Sequence, residues 1–310
     1  MKTYLKEISI KNNNNKNNFK YMLSYFGGKS RIGKFIHEYI PKDINNFNSA
    51  FGGMFWEYFS GNLDEYPNLK SIRYNDFNPV NSNLFRCVRE ADKFYDYLKD
   101  IPCQVKDKDK EGEASDPKFK EMFNEFQRNA FSDVPYTDEP DFERGVHYSY
   151  VISQVFSGIK AETSSFIDLK HKYRSKFDTF RDKVGGIGRG KKFREMFERI
   201  TDVENMDFED FINKYDNKDF FLYLDPPYYD REKMYSNHDF GKEDHERLAN
   251  VIKNMKGKFI LSYYDFPGLE EWFPKDKYNW VSRKFAKASG ASKGKQQSMG
   301  EELLIMNYKI

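Results

Sequence analysis

The sequence predicts an α/β fold built on a nucleotide-binding sheet and interrupted by a mostly helical insert. Three observations carry that prediction. Early in the chain a strand runs into glycines, a helix follows, and the next strand ends in an acid. Much later an apolar strand stops at Asp225-Pro226-Pro227-Tyr228. Between the two, residues 90–200 are charged and lack an alternating strand pattern.

Residues 11–20 form a Lys/Asn run of low complexity, so residues 1–20 read as a solvated tail. Residues 22–26 are a short apolar segment, followed by Gly27-Gly28-Lys29-Ser30 and by helical spacing over 32–39, which Pro41 ends. Residues 47–51 read as a strand running into Gly52-Gly53, and 54–59 as the start of a helix. Residues 71–75 read as a strand ending at Asp76. The middle contains helix-like stretches, loops at 106–116 and 132–141, and a flexible basic loop, Gly185-Gly186-Ile187-Gly188-Arg189-Gly190-Lys191-Lys192. The α/β pattern then returns. Residues 220–224 read as a buried strand, 243–255 as a helix and 258–263 as a strand. Residues 302–308 read as the last strand, with 280–285 as its hairpin partner. The expected division is a tail at 1–20, an α/β domain made of 21–89 and 201–310, and a separate helical domain at 90–200.

Composition excludes several classes. With 18% aromatic residues, 30 of them Phe and 22 Tyr, the chain is not of the disordered type. Lys and Arg number 51 against 49 Asp and Glu, so any basic footprint for nucleic acid has to be local. The two cysteines, Cys87 and Cys103, form no C-x-x-C pattern, which argues against zinc and against a disulfide framework. No apolar run is long enough to span a membrane and the N-terminus lacks the apolar core of a signal peptide, so a cytoplasmic protein is expected.

The strongest chemical signal is Asp225-Pro226-Pro227-Tyr228 directly after the strand at 220–224. An exocyclic amino nitrogen is a poor nucleophile because its lone pair is delocalised into the ring. A carboxylate and a backbone carbonyl that accept both amino hydrogens draw the nitrogen toward tetrahedral geometry. Asp225 and the carbonyl of Pro226 suit that task, and the two prolines fix the backbone and remove competing donors. Tyr228 offers a face for an extruded base, worth about 1–3 kcal/mol, against the few kcal/mol lost on unstacking. As a bare tetrapeptide this is a turn; at the carboxyl end of a buried strand it occupies the ligand-binding edge of an open α/β sheet. Phe51, Gly52 and Gly53 follow a strand, where glycines let backbone approach a cofactor, and Asp76 is placed to accept from ribose hydroxyls. Gly28-Lys29-Ser30 invites a phosphate-binding loop, but that motif needs a glycine at position 23, where Leu23 stands, and a strong preceding strand. His238 and His245 have no evident metal-ligand partners, and no metal is expected.

Taken in order, these segments resemble the Dam-like family of DNA adenine methyltransferases, over most of the chain from Tyr21 to Tyr308. Tyr25 through Lys29 is similar to the family's first motif, Phe51-Gly52-Gly53 to its cofactor glycines, and Asn75-Asp76-Phe77-Asn78 to its ribose-side motif. Asp207-Phe208 resembles the acid–aromatic pair that meets the cofactor adenine, and Asp225-Pro226-Pro227-Tyr228 matches the catalytic tetrapeptide. The resemblance implies a Rossmann-like, mainly parallel sheet with its last strand antiparallel, and a target-recognition domain in the insert. It also implies S-adenosyl-L-methionine as cofactor and double-stranded DNA as partner. The predicted activity is N6-methylation of adenine by base flipping and direct transfer. Ser157 lies in Ser153-Gln154-Val155-Phe156-Ser157-Gly158, which resembles the family's segment where contact with DNA begins, and Arg189, Lys191, Lys192 and Arg194 are candidate phosphate contacts. Cytosine N4-methylation and a catalytically inactive DNA-binding relative are the alternatives; the motif order favours adenine and the intact tetrapeptide favours an enzyme. A cognate restriction endonuclease, the target sequence and monomer versus dimer stay open. One departure stands out: the family carries an acid just before the cofactor glycines, where this chain has Phe47-Asn48-Ser49-Ala50.

Overall fold

The computed structural model describes residues 23, 28–102, 116–155, 160–168, 176–232, 240–286 and 299–310. Among them, helix α1 (Gly33–Tyr39) leads into strand β1 (Asn46–Ser49), the short helix α2 (Trp56–Phe59) and strand β2 (Ser71–Asn75). Helix α3 (Pro79–Arg89) follows, started by Pro79 in its first turn and by the Asn78 side chain, which accepts from Val80 N at 3.1 Å. Then come α4 (Ala91–Leu98), α5 (Pro117–Ala130), α6 (Phe142–Gln154), α7 (Lys176–Val184) and α8 (Gly190–Glu198). The described part of residues 90–200 is therefore helical and contains no strand. The α/β pattern resumes with β3 (Asp202–Glu204), α9 (Phe208–Tyr215) and β4 (Phe221–Leu224). It ends with α10 (Lys242–Lys253), β5 (Lys258–Tyr263), α11 (Leu269–Trp272), β6 (Asn279–Ala286) and β7 (Met299–Met306). Among the described residues no helix is long and apolar enough to cross a membrane.

One seven-stranded sheet runs in the order β3-β2-β1-β4-β5-β7-β6. β3, β2, β1, β4 and β5 are parallel neighbours, whereas β7 pairs antiparallel with both β5 and β6. Period-two alternation splits the core between the two faces. Phe221, Tyr223, Ile260 and Leu304 join one cluster; Leu222, Leu224, Leu261 and Ile305 join the other. The helices of residues 90–200 pack into the first cluster, where Phe94, Phe123, Tyr150, Phe177 and Phe193 share a core with Phe59 and Phe85.

Three expectations shift, the last strand lying at Met299–Met306 rather than at 302–308. The strand before the glycines ends at Ser49 rather than at residue 51, because Ala50 through Gly53 turn away to approach Asn75 and Asp76. The stretch expected as a flexible loop is a turn only through Arg189; Gly190 onward is helix α8. Gly190 fits there because a side chain at that position would lie 2.6 Å from the Lys183 carbonyl, so the two helices close tightly.

Candidate active site

Parallel strands bring their carboxyl ends to one edge, and β1 lies where the order reverses between β2 and β4. Ser49, Asn75 and Leu224 end those three strands, so the glycine turn, Asp76 and Asp225 converge although far apart in sequence. Asn75 fastens the edge. Its side-chain Nδ2 donates to Ala50 O at 2.9 Å and Met206 O at 3.1 Å, and its Oδ1 accepts from Met206 N at 3.0 Å. Gly52 N donates to Asn75 O at 2.7 Å. A side chain on Gly52 would meet the Tyr74 ring at 2.2 Å, so only glycine lets the turn close. Gly53 and Phe55 both have positive φ, at 48° and 52°. For a bulky Phe this left-handed conformation is strained by about 1–3 kcal/mol, and the full burial of Phe55 in the core holds it.

Around the tetrapeptide the polar groups form one cluster. Lys29 Nζ lies 2.6 Å from Asp225 Oδ1 and 3.4 Å from Glu302 Oε1, and it donates to the Tyr228 hydroxyl. The Tyr228 hydroxyl in turn donates to Glu302 Oε1 at 2.5 Å, as does Ser262 Oγ. Lys29 and Glu302 are buried and Asp225 is 16% exposed, so these charges act on one another with little screening. Burial raises the Asp225 carboxyl above its ordinary range; Lys29 opposes that and Glu302 adds to it. The Tyr228 ring packs 4.2 Å from the Tyr264 ring, centre to centre.

Next to this cluster, Asp76 accepts from Gly53 N at 2.6 Å and Asn78 N at 2.8 Å, and burial pushes its pKa up to about 6. No cation pairs with Asp76 among the described residues. Phe51, Phe208 and Phe240 form an aromatic triangle with ring centres 5.5 to 5.8 Å apart. Asp207 caps α9 by accepting from Glu209 N at 2.8 Å, and both its oxygens also take Arg247, each at 2.8 Å. The Arg247 guanidinium lies 4.1 Å above the Phe208 ring.

Of the residues predicted from sequence, Lys29, Asp225, Pro226, Pro227 and Tyr228 gather at one point. Phe51, Gly52, Gly53, Asp76, Asp207 and Phe208 line the adjoining edge. Lys29, expected among the cofactor residues, reaches the tetrapeptide. Tyr25 and Ser157 lie outside the described residues. Arg189, Lys191 and Lys192 are exposed at the start of α8, away from the sheet edge in sequence and element. Arg194 is committed internally, with Nε donating to Val184 O at 2.6 Å and Nη1 paired to Asp92 at 2.7 Å. Sequence reading placed Ser262 and Glu302 only within segments that resemble the family's late strands, without a role in the site, and it singled out neither Phe240, Arg247 nor Glu57, which stand as isolated residues.

A sheet of this strand order, with an acid, two prolines and a tyrosine at its carboxyl edge, is consistent with the methyltransferase class of enzymes. The family model of the D12 class N6 adenine-specific DNA methyltransferase matches residues 25–288, and the chain belongs to that family. Comparison with curated proteins gives no match. The family assignment carries with it S-adenosylmethionine-dependent methylation of adenine in DNA.

Proposed function

We propose that this protein methylates the N6 amino group of an adenine extruded from double-stranded DNA, with Asp225 and the Pro226 carbonyl holding that amino group. The observation that carries the reading is the Lys29–Asp225 contact of 2.6 Å at the end of β4, which fixes the orientation of one carboxylate oxygen. The residues at the edge fit an S-adenosylmethionine cofactor. Asp76 is a buried acid bonded to backbone and side-chain amides, able to receive hydroxyl donors. Phe51 and Phe240, half-buried and packed against the buried Phe208, offer faces for a flat heterocycle. Gly52 and Gly53 let backbone come close. When bound, this cofactor supplies an electrophilic sulfonium methyl. Asp225 accepts one amino hydrogen and the Pro226 carbonyl the other, which frees the nitrogen lone pair. The Asp225 carboxylate, with its raised pKa, then takes the proton that the methylated nitrogen sheds. Tyr228, anchored through its hydroxyl by Lys29 and Glu302, presents a ring of fixed orientation to the base.

Residues 21–89 and 201–310 are assigned to catalysis and 90–200 to target recognition, where the exposed Arg189, Lys191 and Lys192 suit phosphate contacts. The test is transfer of labelled methyl groups to unmethylated genomic DNA, with nucleoside analysis of the product. N6-methyladenine is expected; N4-methylcytosine would reassign the target. Asp225→Ala is expected to lower transfer by about a thousandfold or more while leaving cofactor affinity within a few-fold. An active Asp225→Ala enzyme overturns the mechanism.

A further inference from the structure

The stretch before the glycines has no acid, yet α2 brings one to the same place. Glu57 is 3% exposed, and its Oε1 accepts from Ser49 Oγ at 2.9 Å, at the end of β1. The backbone that carries it is pinned. His37 Nε2–H donates to the Glu57 carbonyl at 2.6 Å, and His37 Nδ1 accepts from the Tyr66 hydroxyl at 2.6 Å. That arrangement needs a neutral ring, and burial keeps His37 neutral by lowering its pKa to about 4. A buried carboxylate costs several kcal/mol unless a cation pairs with it, and among the described residues none lies within ion-pair distance of Glu57. Burial pushes its pKa up to about 8; its own backbone N–H and the Ser49 hydroxyl oppose, Asp225 adds, and Lys29 opposes from a distance. The fully buried Tyr223 hydroxyl is within electrostatic reach of Glu57, Asp225 and Glu302 and makes no full hydrogen bond, with Ser262 close to it. Among the described residues, the catalytic edge thus gathers three carboxyl groups, Asp225, Glu302 and Glu57, around the single ammonium of Lys29.

We infer that Glu57 receives the α-ammonium of the cofactor's amino-acid end, standing in space where the sequence lacks an acid before the glycines. This rests on the S-adenosylmethionine reading above. Burial favours the protonated form of the Glu57 carboxyl in the free protein. The arriving ammonium displaces that proton to solvent, and no other bond changes.

The test is calorimetric titration of the full-length protein with two ligands. S-adenosylhomocysteine carries the ammonium, whereas 5′-methylthioadenosine has the same nucleoside and sulfur but no amino-acid end. Glu57→Gln is expected to weaken S-adenosylhomocysteine by about tenfold or more and to leave methylthioadenosine within about twofold. Adding Ser49→Asp to Glu57→Gln should recover most of the loss, because it returns an acid to the end of β1. Equal loss for both ligands, or for neither, overturns the inference. A second readout needs only the unaltered protein. In buffers of different ionisation enthalpy, S-adenosylhomocysteine should release more protons than methylthioadenosine, and equal proton release overturns it. Failure of the unaltered protein to bind either ligand would instead remove the cofactor reading itself.

Discussion

Lys29 sits between Asp225 and Glu302, and its charge opposes the burial that raises the pKa of the carboxylate beside it. Replacing it with the uncharged Met leaves two carboxylates facing each other across a buried site, and such a pair holds its last proton more tightly. The sign follows directly. In the mechanism proposed above Asp225 works ionised, Lys29 lowers its pKa, and removing Lys29 raises it. The acid limb of the pH profile of kcat/KM should therefore move up by about one pH unit or more in Lys29→Met, with kcat reduced on the alkaline side as well because Tyr228 loses an anchor. An unmoved limb would show that Asp225 does not feel Lys29. At this scale the tetrapeptide, Asp76 and the glycines were legible because each is a contiguous signature after a strand. Glu302, which accepts from Tyr228 across 74 residues, was not: a single Glu in an amphipathic strand looks like an ordinary exposed charge until β7 is laid beside β5.

The elements that build the edge differ in how visibly they are written. β4 is a run of four buried residues between turn signals, and β5 follows a clear helix, so both are readable from pattern. β3 has three residues, Asp202, Val203 and Glu204, with no periodicity to detect; it exists because β2 offers an unpaired edge. The turn between β1 and α2 is the tightest part of the site. A methyl group added in Gly52→Ala would press into the Tyr74 ring, which itself stacks on Phe85 with ring centres 3.9 Å apart. Overpacking of this kind costs about 1–3 kcal/mol of stability. The larger effect expected is on the cofactor, with affinity reduced by about tenfold or more as the turn moves away from Asp76. Urea denaturation and equilibrium binding measure the two effects separately, and full affinity in Gly52→Ala would show that the turn does not contact the cofactor.

Over the whole molecule, the helices of residues 90–200 are not packed apart from the sheet: α6 and α8 both lie against α3, and their aromatic side chains share its core. A footprint on DNA that extends from the catalytic edge to α8 would thereby be held in fixed register with the base-binding site. The chain's net charge of +2 offers little long-range attraction, so binding has to come from local cations. If Lys191 and Lys192 each neutralise a phosphate, Lys191→Ala with Lys192→Ala should lower the slope of log K against log salt by about 2. Cofactor affinity should stay unchanged. An unaltered slope would place the DNA on another face.

By itself the sequence determined the alternation of strands and helices, the order of the motifs, and the position of the tetrapeptide at a strand end. These are local properties, fixed by hydrophobic period and by what Gly and Pro do to backbone. The tertiary structure decided which isolated side chains meet them. Ser49 is on β1, Glu57 on α2, Lys29 ahead of α1 and Glu302 on β7. Only parallel pairing around β1 and β4, with β7 reversed beside β5, brings these groups to one edge. Electrostatics and desolvation depend on distance through space and not along the chain, so the cluster's charge balance is a property of the fold.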